Sequence, residues 1–131
     1  MKCLIVDDVF MMRKLLNTIL QEFGECVLAE DGENALKIFE NAIKVEKPFD
    51  LVCLDIMMPH INGVELLNKI RNLESKNEFQ NKPKVKIILI SAVYKQNIVD
   101  KIGKDKFDSY ITKPIGKADL ISEIKKLGLV N

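Results

Sequence analysis

Residues 49–59 read FDLVCLDIMMP. Positions 51–54, LVCL, are apolar without a break. That is the pattern of a strand covered on both faces, not of one with a wet side. Asp55 follows at once, and Ile56, Met57 and Met58 follow it before Pro59. Removing a carboxylate from water without a partner is costly. Two readings therefore stand for Asp55: it opens the turn at Met58-Pro59, or compensating groups gather around it.

Outward from this stretch, strand and helix patterns alternate. KCLIV (2–6), ECVLAE (25–30), VKIILI (85–90) and FDSYIT (107–112) read as the further strands. Between them lie stripes at helical spacing. Met12, Leu15, Leu16, Ile19 and Phe23 form the first; Ala35, Phe39, Ala42 and Ile43, after an Asp31-Gly32 start, form the second. Leu66, Leu67, Ile70 and Leu73 form the third, with Asn62 as its cap. A weaker helix fits 95–103, and Leu120, Ile121, Ile124 and Leu127 mark the last, stopped by Gly128. Residues 74–84, ESKNEFQNKPK, show little periodicity and are expected to form an extended loop. Five βα units of this kind predict an α/β fold, a five-stranded parallel sheet with helices on both faces.

The chain has 131 residues, 47% apolar and 30% charged, with a formal net charge of +1. A single domain spanning 1–131, with no output domain, is expected. The charge balance supplies no global field toward nucleic acid, so direct nucleic-acid binding is not expected. No apolar run approaches the ~18 residues that span a bilayer, and MKCLIVDD is no signal peptide. Membrane insertion is not expected, and a cytoplasmic location is. Cys3, Cys26 and Cys53 are expected as free thiols used as small core hydrophobes. His60, the only histidine, is expected on an exposed loop.

In an open parallel sheet, ligands bind beyond the carboxyl ends of the strands. Those ends carry Asp7 and Asp8, then Asp55, then Ser91, then Lys113-Pro114. Three carboxylates with one ammonium leave an excess of negative charge, and carboxylates ~4 Å apart repel by about 4 kcal/mol at an effective dielectric near 20. Hard oxygen donors in such a set suit Mg²⁺, which keeps waters that a phosphate can displace. One carboxylate can then act as a nucleophile toward phosphorus. Taken singly, each residue has a plainer role: Asp8 as a helix cap, Asp7 and Asp55 as turn residues. The joint placement at four strand ends favours the pocket.

With LIVDD (4–8), LDIMMPHINGVELL (54–67), ILISA (88–92) and YITKP (110–114), the sequence resembles the CheY-like receiver domains of bacterial two-component response regulators over essentially its whole length. The resemblance implies a flavodoxin-like sheet of order 2-1-3-4-5. It implies that Asp55 is the phosphoacceptor, taking a phosphoryl group from the phosphohistidine of a sensor histidine kinase or a histidine phosphotransfer protein. Asp7, Asp8, Asp55 and the backbone carbonyl of Met57 would hold Mg²⁺, or Mn²⁺ in its place. Lys113, Ser91 and Ala92 would meet the phosphoryl oxygens, Pro114 would follow a cis bond, and Tyr110 would turn inward with Ser91. A downstream protein would then read the surface of the fourth helix, fifth strand and fifth helix, on a monomer or a phosphorylation-dependent dimer. Met57 and Val93, apolar where family members can carry polar residues beside the attacking water, would slow dephosphorylation.

The chain departs from the family pattern at Lys106-Phe107, where many members carry Gly-Ala, and at Ser91, where Thr is commoner. Two outputs stay open within the resemblance: a chemotaxis-type switch, and a shuttle passing the group to a histidine phosphotransfer protein. An aspartyl-phosphate hydrolase would need a second Asp at position 57, which is Met. A flavin carrier would need a hydroxyl- and Gly-rich loop where DDVFMMRK stands. The expected role is therefore a switch and not an enzyme acting on other substrates.

Overall fold

The computed structural model describes residues 1–57, 62–76 and 83–131. Its elements run β1 (Lys2–Val6), α1 (Phe10–Leu20), β2 (Glu25–Ala29), α2 (Gly32–Lys44), β3 (Leu51–Asp55), α3 (Gly63–Glu74), β4 (Lys86–Ser91), α4 (Lys95–Ile102), a 3₁₀ turn (Lys104–Lys106), β5 (Ser109–Thr112) and α5 (Lys117–Lys126). All four strand pairings are parallel, in the order β2-β1-β3-β4-β5. This is the flavodoxin-like (βα)₅ arrangement.

The unbroken apolar runs of β1, β3 and β4 have the reason expected of them: successive side chains point to opposite faces, and both faces are covered, whereas edge strand β2 leaves Leu28 41% exposed. Leu4, Val6, Val52, Leu54, Ile87 and Leu89 pack under α2, α3 and α4. Cys3, Ile5, Leu51, Cys53, Ile88 and Ile90 pack under α1 and α5. The three cysteines are free; Cys3 and Cys53 are buried and Cys26 is half-buried. The Cys3 thiol donates to Cys26, and this bond, with Cys53 and burial adding, holds it well above its ordinary pKa.

Local chemistry sets the helix ends. Asp31 Oδ1 accepts from the Asn34 amide at 2.8 Å and Asn62 Oδ1 from the Glu65 amide at 2.9 Å, each satisfying an otherwise unpaired first-turn donor. Gly103 (φ +92°) ends α4, and Gly128 (φ +76°) follows α5, in backbone regions that disfavour side chains.

Several boundaries and faces differ from expectation. Leu15 is 40% exposed, and its place in the core under α1 is taken by fully buried Leu20. The fifth strand starts at Ser109 because the Ile87 amide of β4 is taken by Asp108 Oδ2 rather than by a main-chain carbonyl of the preceding segment, although the Asp108 amide still donates to the Ile87 carbonyl. The fourth strand extends to Ser91, and α4 stops at Ile102. The Lys106-Phe107 segment forms the end of the 3₁₀ turn, with Phe107 buried against Tyr110. The expected loop over 74–84 falls mostly outside the described residues, as do the Met58-Pro59 turn and His60.

Arg71 ties α3 to the far edge of the sheet. Its Nη1 donates to Glu74 Oε1 at 2.6 Å and to the Val85 carbonyl at 3.0 Å. Its Nε donates to the Lys106 carbonyl at 2.9 Å, and its Nη2 meets Asp108 Oδ2 at 3.3 Å. Buried Glu74 is completed by the Val85 amide at 2.7 Å. No helix among the described residues is long and apolar enough to cross a membrane.

Candidate functional site

The three central strands deliver their acids and hydroxyl to one edge because their registers are aligned. Val6 pairs with Leu54, and Asp55 pairs with Ile90. Asp7 therefore emerges beside Asp55, with Ser91 one residue beyond on β4. Oxygens of Asp7, Asp8 and Asp55 all lie within 4.8 Å of one another. Asp7 and Asp55 are buried, at 1% and 4% exposure, whereas Asp8 is exposed.

Lys113 enters from the end of β5. Its amide donates to the Ser91 carbonyl at 2.8 Å, and the Lys113-Pro114 bond that follows is cis. Its Nζ lies 3.3 Å from Asp55 Oδ2 and 3.5 Å from Asp7 Oδ2. One cation thus stands against two of the three clustered carboxylates. Asp7 Oδ1 accepts from the Val9 amide at 2.9 Å, and Asp55 Oδ1 from the Met57 amide at 3.0 Å. Asp7 Oδ2 is buried with no hydrogen-bond partner. Burial pushes the Asp55 carboxyl above its ordinary pKa and the Asp7 charge adds to this, while the Met57 amide and Lys113 pull the other way.

The chemistry of this donor set fits a small hard cation. It has three carboxylates for one ammonium, an orphaned buried oxygen, and one acid open to solvent. Asp8 is not a helix cap: the cap position of α1 is Val9, and it has no side-chain cap bond.

The other sequence-predicted residues lie around this centre. Ser91 is fully buried, and its Oγ accepts from the Val93 amide at 3.1 Å. Ala92 is exposed and Val93 half-buried. Tyr110 points its hydroxyl inward and donates to the Val93 carbonyl, and burial raises its pKa. Met57 stands at the rim, 64% exposed.

Two residues of this edge escaped the sequence reading. Arg13 Nη1 donates to the Asp7 carbonyl at 2.7 Å. A cation in the first turn of a helix, where the macrodipole disfavours it, was the available signal. Gly63 is the second. A Cβ there would lie 2.4 Å from Ile56 Cα and 2.5 Å from the Asp55 carbonyl oxygen, so α3 reaches the end of β3 only through a glycine.

The family model described as "Response regulator receiver domain" matches residues 3–125. Chemotaxis protein CheY of Halobacterium salinarum is 32% identical over 123 residues, which are 92% of this chain and 91% of that protein. The chain spans less than half the length of several other curated relatives it matches. Among solved structures, the Thermotoga maritima response regulator TrrA, in complex with Mg²⁺ and BeF, is 38% identical with a TM-score of 0.73, covering 96% of this chain and 97% of that one. CheY in the CheX–CheY–BeF₃–Mg²⁺ complex of Borrelia burgdorferi is 28% identical with a TM-score of 0.80, covering 99% and 90%. With the strand order, the acidic strand ends and Lys113 already in place, these matches settle the family: the chain belongs to the CheY-like response regulator receiver domains of two-component signalling.

Proposed function

We propose that this protein is a phosphorylation-driven switch that accepts a phosphoryl group on Asp55. The observation that carries the reading is the placement of Asp55: nearly buried, beside Asp7 and Asp8, with Lys113 Nζ at 3.3 Å. An Asp55 oxygen attacks phosphorus of a phosphohistidine; the O–P bond forms, the P–N bond breaks, and the departing imidazole takes up a proton. Asp7, Asp8, Asp55 and the Met57 carbonyl would hold Mg²⁺, which supplies positive charge to the transferring phosphoryl oxygens. Lys113 offers a second positive charge from the opposite strand, and the Ser91 hydroxyl a hydrogen bond. Groups fixed in this way need no reorganisation as charge develops.

The donor is a sensor histidine kinase or a histidine phosphotransfer protein. The readout passes through the β4–α4 turn. Ser91 Oγ bonds the Val93 amide and Tyr110 bonds the Val93 carbonyl, so a phosphoryl group drawing Ser91 toward Asp55 moves the peptides that both contact. The face of α4, β5 and α5 then presents a different surface to a downstream protein. Met57 and Val93 carry no group able to orient a water, so the acyl phosphate is long-lived for its class.

The test is incubation with a small-molecule phosphodonor in the presence and absence of Mg²⁺, followed by intact-mass analysis. One phosphoryl adduct is expected, dependent on Mg²⁺ and absent in Asp55→Asn. An adduct that persists in Asp55→Asn would refute the assignment.

A further inference from the structure

We infer that Arg13 is a positioning residue that sets the direction of the Asp8 carboxylate, and so the affinity of the acidic pocket for Mg²⁺. The inference rests on the proposed metal-dependent function.

Arg13 is out of place by local rules. It lies at the end of the first turn of α1, near the positive pole of the helix, where a cation is disfavoured. That turn has no acidic residue and no side-chain cap to offset it. Violations of this kind concentrate where a residue serves a site.

The compensation is in the contacts. The guanidinium donates to the Asp7 carbonyl at 2.7 Å, and so holds the Asp7–Asp8 peptide plane. Asp7 Oδ1 accepts from the Val9 amide at 2.9 Å, and so holds the Asp8–Val9 plane. Asp8 sits between two clamped peptides, and both its backbone dihedrals are thereby restrained. Its own side chain makes no hydrogen bond or ion pair among the described residues, and it is exposed. Its place beside Asp7 and Asp55 therefore comes from the backbone, and Arg13 is one of the two groups that fix that backbone.

Phe10 completes the device. Its ring lies 5.8 Å from the Arg13 guanidinium carbon while the residue is 64% exposed. A large aromatic side chain outside the core gains nothing from burial there. As a platform under a planar cation, it limits the orientations from which Arg13 reaches the carbonyl. Lysine cannot reproduce this, because an ammonium is a point donor without a plane to stack.

The experiment is Mg²⁺ titration by calorimetry of wild type, Arg13→Gln, Arg13→Lys and Phe10→Ala, with hydrogen exchange of the Val9 amide measured on each metal-free protein. Arg13→Gln and Arg13→Lys are both expected to raise the Mg²⁺ Kd by about tenfold, the lower end for groups that orient metal ligands. Phe10→Ala is expected to raise it less, and Val9 exchange is expected to speed up in all three. Affinity within twofold of wild type in Arg13→Gln overturns the inference. Wild-type affinity in Arg13→Lys alone also overturns it, since charge without geometry would then suffice. Should Arg13→Gln fail to fold, Arg13→Lys and Phe10→Ala decide. If wild type binds no Mg²⁺, the proposed function fails instead; unchanged Val9 exchange in the variants would then overturn the positioning role separately.

Discussion

Asp7 Oδ2 lies 3.5 Å from Lys113 Nζ and accepts no hydrogen bond from it. The same ammonium is 3.3 Å from Asp55 Oδ2. A single lysine is thus shared between two buried carboxylates and saturates neither. A polar atom left in this condition costs about 1–3 kcal/mol, more when charged, and that cost makes the site responsive to a cation.

Millimolar Mg²⁺ is expected to raise the melting temperature through mass action. The gain is about 2.7 kcal/mol when the ion is at a hundredfold excess over its Kd. Asp8→Asn is expected to remove most of this shift while leaving the metal-free protein as stable as wild type or more so, because it deletes one of three mutually repelling charges. Differential scanning calorimetry with and without Mg²⁺ checks both halves; a shift of equal size in Asp8→Asn contradicts the pocket.

The raised pKa of Asp55 has a definite sign in the pH profile. Burial is its main cause, so the folded state prefers the protonated form. Between the unfolded value near ~4 and the higher folded value, the native protein binds more protons, and stability falls as pH rises. In metal-free protein at neutral pH, Asp55→Asn should therefore melt higher than wild type. The gap should close as pH falls through the raised value, and vanish below the ordinary carboxylate range. Melting curves from pH 3 to 8 in the presence of a chelator measure it.

Met57→Asn combined with Val93→Glu should shorten the acyl-phosphate lifetime by about tenfold to a hundredfold, approaching the lower end of what a positioned polar group contributes to proton-transfer chemistry. Met57 is exposed at the rim and Val93 is half-buried, so neither change opens the core. Decay of the phosphorylated protein, followed by mass spectrometry, checks this.

Gly63→Ala is expected to cost about 3 kcal/mol, at the upper end for overpacking. The new methyl would meet backbone atoms of Ile56 and Asp55, which cannot rotate away as a side chain would. Because the obstruction lies on the Asp55 carbonyl, Mg²⁺ affinity should fall along with urea stability.

Arg71→Met should destabilise by about 3–5 kcal/mol, the scale for stranding a buried charge. Glu74, 8% exposed, would lose its 2.6 Å partner. Adding Glu74→Gln should recover part of the loss, and a double-mutant cycle in urea gives the coupling.

How much of this was legible in the sequence depended on the kind of side chain. Apolar runs such as LVCL announce a buried parallel strand, and the acids at the strand ends announce the pocket, because both patterns follow from which face meets water. Leu15 was misread because the stripe on α1 follows Leu16, Ile19 and Leu20 instead. Phe107 reads as strand because it is apolar, yet it follows the 3₁₀ turn into the core beside Tyr110, and the Ile87 amide goes to Asp108 Oδ2, so β5 begins only at Ser109. Arg13 and Arg71 were passed over for a common reason. A charged residue on a helix ordinarily lies in solvent; the first-turn position marks Arg13 as unusual, but neither it nor anything local to Arg71 tells which main-chain carbonyl the cation folds back onto.

The two ends of α4 are held by unequal means. Near its C-terminal end, the following turn is fastened to α3 twice, by Lys106 Nζ on Asn68 Oδ1 at 2.6 Å and by Arg71 on the Lys106 carbonyl. At its N-terminal end, Tyr94 occupies the cap position without a side-chain cap bond and is 71% exposed. The residue just ahead of that cap, Val93, is held instead through Ser91 Oγ and the Tyr110 hydroxyl. The C-terminal fastenings thus tie α4 to its neighbour α3, whereas the N-terminal ones tie it to the strand ends of the acidic pocket, so a displacement of Ser91 would reach α4 first at its Tyr94 end.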